Sequence, residues 1–129
     1  MREIKFRAWD KKLKSMMEVR TWCLYEGTLH CIGKSNDGFL ESSEEEHNYE
    51  IMQFTGLHDK NGKEIYEGDI VKVKFSNSYE TFEVVWQENK MRFGLRQRDH
   101  DEQDSWAFTP QNDFEIIGNI YEDPELLKN

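Results

Sequence analysis

Asp99-His100-Asp101 sets a histidine between two carboxylates, the arrangement that would orient an imidazole as a general base. The triplet sits in a loop-type run of charge with Glu102 and Asp104, where such a pattern arises readily by chance, so it reads as solvated surface. Cys23 and Cys31 would need a partnered base and a lowered pKa to act as nucleophiles. Both fall in predicted strands, where a buried, inert thiol is expected. If Glu26–Thr28 forms a three-residue hairpin loop, the two cysteines lie opposite each other and a bridge is sterically feasible. A reducing cytosol disfavours it. His30 and His47 are nearby, but there is no Cys-x-x-Cys pair and no second ligand pair at fixed spacing. No metal and no cofactor is expected. Gly-x-Ser-x-Gly, the Walker loop, His-Glu-x-x-His and Gly-x-Gly-x-x-Gly are all missing from the sequence. The expectation is a protein that is not an enzyme.

Binding chemistry has two candidate locations. From Lys90 to Arg98 cations alternate with Met91, Phe93 and Leu95, and Lys72 and Lys74 lie on a neighbouring strand. Lys72, Lys74, Arg92, Arg96 and Arg98 would form a small positive patch beside aromatic rings, the combination that holds single-stranded nucleic acid. The second location is the Asn61-Gly62 turn, where His58, Asp59, Lys60, Glu67 and Asp69 could form a ligand or partner site. A structural role competes with that reading. Gly56, Gly62 and Gly68 recur six residues apart, each beside a reversal or kink that needs glycine's backbone freedom. Asp59 and Asp69 are the residue type that accepts hydrogen bonds from turn amides.

Charge weighs against nucleic acid. The chain of 129 residues carries a formal charge of −9, whereas duplex-binding domains carry a basic face. The balance is uneven: through Arg20, seven basic residues face only Glu3, Asp10 and Glu18. A solvated strand face and turn accounts for that excess, with a local anionic contact as the alternative. The acidic stretches 41–50 and 99–104 read as solvated, with a DNA-mimicking or cation-binding face as the sharper alternative for the first. No apolar run approaches the ~20 residues of a membrane span, and Met1–Asp10 is charged rather than signal-like. The expected location is the cytoplasm of a bacterial host cell.

The elements that would position these residues are short strands. Ile4, Phe6 and Ala8 alternate with Lys5, Arg7 and Trp9, the period of a half-buried strand. Met16–Tyr25 and Thr28–Ile32 continue a meander, and Gly33–Glu50 reads as a loop or insertion. Ile51–Phe54 is a short strand, followed by a connection to His58-Asp59. Asn61-Gly62 then predicts a type I′ hairpin, whose two central residues both need positive φ. Further strands fall at Ile70–Phe75, Tyr79–Trp86, Met91–Arg96, Trp106–Phe108 and Phe114–Tyr121. Asp123-Pro124-Glu125 opens a helical turn that docks by Leu126 and Leu127. The predicted fold is mostly β, a small barrel or sandwich built of hairpins, with an SH3-like barrel element around 65–96 and a short C-terminal helical turn. Four tryptophans, Trp9, Trp22, Trp86 and Trp106, are expected mainly in the core. The chain reads as one domain, divisible into a β-meander lobe (1–50) and a β-barrel lobe (51–122).

Three stretches carry a family resemblance: Ile4-Lys5-Phe6-Arg7-Ala8-Trp9-Asp10 followed by Met16-Met17, then Gln53 through Val71 with its Thr55-Gly56-Leu57-His58-Asp59-Lys60-Asn61-Gly62 core, then Ile117-Gly118-Asn119-Ile120-Tyr121 through Leu127. The chain resembles the YopX family of phage and prophage proteins. The resemblance implies a small all-β protein encoded among phage accessory genes. It supplies no catalytic residue. With the composition it leads to an expected role as a non-enzymatic module that binds protein, whether itself in a homo-oligomer or a host or phage partner. A single-stranded nucleic-acid binder is the alternative.

Overall fold

The computed structural model describes residues 3–11, 13–25, 28–35, 38–42, 49–75, 77–97, 106–107 and 113–127; at 20–25, 28–35, 38–42, 75 and 106–107 only the backbone is described. The fold is mostly β with antiparallel sheets and short 3-10 turns, as the strand-sized apolar alternation predicts. Contacts divide the chain into two compact units, one over Glu3–Gln53 and one over Phe54–Asn129. Among the described residues, no helix is long and apolar enough to cross a membrane.

The first unit is a meander. β1 (Phe6–Asp10), β2 (Ser15–Tyr25), β3 (Thr28–Ser35), β4 (Gly38–Ser42) and the first half of β5 (Tyr49–His58) pair in the order β4-β3-β2-β1-β5. Ala8 lies opposite both Met17 and Ile51, and Val19 and Tyr49 complete the buried cluster. Asp10 is buried at the end of β1, where its carboxylate accepts the Leu13 N–H at 3.0 Å and closes the β1–β2 turn.

Two expectations change here. The β2–β3 connection has two residues rather than three, with Tyr25 opposite Thr28. That shifts the register by one: Cys23 faces His30, and Cys31 faces Trp22, so the cysteines are not directly paired. Gly33–Glu50 is also not one loop. β3 runs on to Ser35 and pairs with β4 antiparallel, Ser35 lying opposite Gly38. A dense group of turn formers marked a turn between strands, and Phe39-Leu40 carries the returning strand. Residues 43–48, the centre of the first acidic stretch, lie outside the described residues, as do 99–104.

The second unit contains β6 (Glu64–Tyr66), β7 (Asp69–Phe75), β8 (Ser78–Gln87), β9 (Arg92–Arg96), β10 (Trp106–Ala107) and β11 (Phe114–Asn119). The last half of β5 pairs with β6 across a bulge. The remaining strands form a sheet ordered β10-β9-β8-β7-β11. Val71 and Val73 of β7, Phe82 and Val84 of β8, Leu95 of β9 and Phe114 of β11 share one face and bury together with Ile65. This is period-two alternation read directly into a core. Gly68 sits at φ +85°, which lets its N–H reach Val84 O (2.8 Å) and its carbonyl accept Ile120 N–H (2.9 Å). The described residues close with a 3-10 turn, Pro124–Leu127, that packs against β8. Asp123 does not cap it through its side chain. Its carbonyl accepts the Leu126 N–H at 3.0 Å, while the Asp123 carboxylate faces back to the Asn119 N–H (3.4 Å).

Candidate binding face and the Asp59 latch

Asp59 follows β5 at the head of the β5–β6 hairpin, and its side chain is 6% exposed. One carboxylate oxygen accepts the N–H groups of Asn61 (2.8 Å) and Lys63 (2.9 Å). The other accepts the N–H of Ile116, 57 positions away on β11, at 3.0 Å. Lys60 N–H donates to Phe114 O at 2.8 Å, so the turn fills the outer edge of β11. Burial raises the Asp59 pKa, but the three backbone donors and the nearby Lys63 charge outweigh it and hold the carboxyl below its ordinary 3.8. The turn is not type I′. Gly62 has φ +84°, but neither Lys60 nor Asn61 has positive φ. Gly62 N–H bonds Asp59 O at 3.0 Å, and Asp59 N–H bonds Lys63 O at 2.8 Å. This is a type I turn closed by a left-handed glycine, with aspartate at its first position. Asp69 does similar work nearby: buried, it accepts the Tyr66 N–H at 2.8 Å. His58 is exposed at the end of β5 with its ring edge-on to Phe54, 5.6 Å between centroids.

The candidate cations lie on the opposite face of the β7–β8–β9 sheet from its core. Lys72 and Lys74 alternate with Val71 and Val73, and Arg92 and Arg96 flank Leu95 in the same way. Register then assigns their neighbours. Arg96 is opposite Glu83 and bonds it at 2.5 Å, with both side chains mostly buried. Arg92 is opposite Gln87 and donates to its side-chain oxygen at 2.8 Å. Lys72 lies 4.5 Å above the ring of Tyr79, and Glu115 is opposite Lys72 on β11. Lys74 is exposed, and Tyr79, opposite it across the β7–β8 turn, is 56% exposed. Arg98 lies outside the described residues. Register sets Lys72 and Arg96 at neighbouring levels of β8, opposite Thr81 and Glu83, whereas Arg92 lies towards the other end, opposite Gln87, and the two arginines already serve acidic and amide partners on their own sheet.

Glu83, Gln87 and Tyr79 define this face as much as the cations do, and sequence reasoning did not single them out. Counting pairs outward from a three-residue Glu88-Asn89-Lys90 turn would have set Glu83 against Leu95; the connection also takes in Met91, and that one residue sets Glu83 against Arg96. Of the tryptophans, Trp86 is half-buried against Phe93 with 5.0 Å between ring centroids, and Trp9 is half-buried on β1.

The whole arrangement can be set beside known proteins. The chain is similar to a solved structure described as the crystal structure of protein EF1440 from Enterococcus faecalis, at 28% identity, covering 99% of this chain and 100% of that one with a TM-score of 0.61. No curated protein sequence matches significantly. The family model described as YopX protein matches residues 5–128, which takes in the β1 strand, the Asp59 turn and the Gly118–Leu127 ending together. On that near-complete match the chain belongs to the YopX family.

Proposed function

We propose that this protein is a non-enzymatic binding module of a phage or prophage, acting in the host cytoplasm, whose contact surface for another protein chain centres on Tyr79 and Lys74. The observation that carries the proposal is the makeup of the outer β7–β8 face. Tyr79 is exposed beside two lysines while Arg96 is neutralised by Glu83. Tyrosine offers large contact area with few rotamers to freeze, and arginine tied to its own sheet is poorly placed to neutralise phosphate. A mixed, charge-compensated face of this kind suits a protein surface better than a polyanion.

The test compares wild type with Tyr79→Ala and Lys74→Glu, both at surface positions, by sedimentation of the purified chain and by capture from host extract. The expected result is one partner, a second copy or a foreign chain, whose retention falls about tenfold in each variant, worth ~1.4 kcal/mol. A monomer whose captured proteins are indifferent to both substitutions overturns the proposal.

The Lys72–Tyr79 contact favours a second reading, a platform for single-stranded nucleic acid. Fluorescence anisotropy of a labelled oligonucleotide decides between the two. Binding that weakens steeply with salt and is lost in Tyr79→Ala supports the second reading; binding that is absent at low salt refutes it.

A further inference from the structure

We propose that Asn61 is a site of spontaneous deamidation in the folded protein, and that its isoaspartyl product opens the Asp59 latch. Of the chain's asparagines, Asn61 alone precedes glycine. Both residues are exposed, and the space beside Gly62 Cα is open, so solvent and hydroxide reach the Asn61-Gly62 linkage, whose glycine adds no side chain to hinder cyclisation. The reaction is intramolecular, which gives the weakly nucleophilic amide a high effective concentration. After loss of its proton to hydroxide, the Gly62 nitrogen attacks Asn61 Cγ. A C–N bond forms, the side-chain amide C–N bond breaks, and the nitrogen takes a proton from water and leaves as ammonia, returning the hydroxide. Water then opens the five-membered imide at either carbonyl, giving aspartate or isoaspartate.

Two features of the fold set the rate and the consequence. The Gly62 N–H is engaged by Asp59 O at 3.0 Å, which restrains the attacking nitrogen, so the folded chain reacts more slowly than the unfolded one. The consequence is structural because the Asn61 N–H and the Lys63 N–H share one Asp59 oxygen, while the other oxygen reaches Ile116. Isoaspartate at position 61 lengthens the backbone between those two amides by one methylene. They then cannot both meet the same oxygen, and the tie to β11 slackens. The new carboxylate also lies close to Asp59, in sequence and in the turn.

The experiment incubates the full chain at mildly alkaline pH, folded and in urea. It is followed by peptide mapping with isoaspartyl-specific methylation and by amide exchange. The folded protein is expected to convert at Asn61 ahead of every other asparagine, yet more slowly than in urea. In the isoaspartyl fraction the Lys63 and Ile116 amides exchange at least about tenfold faster, and Asn61→Gln stays unconverted with slow exchange. Conversion at Asn61 that is confined to the urea sample overturns the proposal, as does an isoaspartyl fraction whose exchange matches the unmodified protein.

Discussion

Replacing Asp59 by alanine removes the acceptor of three backbone N–H groups at once. Hydrogen bonds to a charged acceptor contribute about 1.5–3 kcal/mol each, but the parts do not add here. Asn61 and Lys63 are exposed, so water replaces the lost acceptor at those two amides at small cost. Relief of the buried carboxylate returns part of the rest. The Ile116 N–H is the costly loss, because it sits on a sheet edge that the turn itself covers. The net cost expected for Asp59→Ala is about 3 kcal/mol, a large share of a total of about 5–15 kcal/mol. Asp59→Asn keeps one acceptor oxygen but turns an amide donor toward Ile116, for about 2 kcal/mol. Urea unfolding followed by tryptophan fluorescence is the assay. With a slope of about 2 kcal/mol/M, the midpoint falls by about 1.5 M for alanine and about 1 M for asparagine. A shift below about 0.3 M for Asp59→Ala, with unchanged exchange at Ile116, would refute the latch.

The same carboxylate predicts an acid limb. Its folded pKa lies below 3.8, so its stabilisation is complete above the unfolded value and is lost as pH falls through the folded value. Wild type should lose stability in that window, and Asp59→Asn should show a flatter profile in urea titrations at stepped pH. Gly118→Ala should cost about 1–3 kcal/mol by overpacking, since its new methyl would lie 2.6 Å from Asp123 Oδ2, 2.7 Å from Leu126 Cδ1 and 2.9 Å from Asp123 Cβ; thermal unfolding measures it. A double-mutant cycle on Arg96→Ala and Glu83→Ala should give a coupling of about 1–2 kcal/mol, because both side chains are mostly shielded from water. Met91 stands at φ +53° after the β8–β9 turn and is 73% exposed, so Met91→Gly should raise stability by about 1 kcal/mol in urea unfolding.

Strand positions were legible wherever alternation met a clear turn. β7, β8 and β9 appear where Val71, Val73, Phe82, Val84 and Leu95 require them, because one face must bury. Register was less legible, since a single residue in a turn decides it. The β2–β3 loop is two residues long, and that alone separates the cysteines from direct pairing. Asn61-Gly62 pointed to a type I′ hairpin; the bonding of Asp59 to turn amides was legible from its residue type, but that it stands at the first position of a type I turn, one place before the central pair, was not. The positive patch was legible as residue types. Its compensation by Glu83 and Gln87 was not, because cross-strand partners follow from register. The reach of Asp59 to Ile116 had no local signal at all.

That reach has a kinetic consequence. The β7–β8 and β8–β9 hairpins close over short stretches of chain and can form early. The Asp59–Ile116 bond closes a loop of 57 residues, so its entropy of closure is met only after the intervening strands have shortened the effective path. The bond therefore belongs to the late, downhill side of the folding barrier. Its loss should leave the refolding rate nearly unchanged and accelerate unfolding, which makes Asp59 the residue that sets how long a molecule stays folded rather than how quickly it gets there.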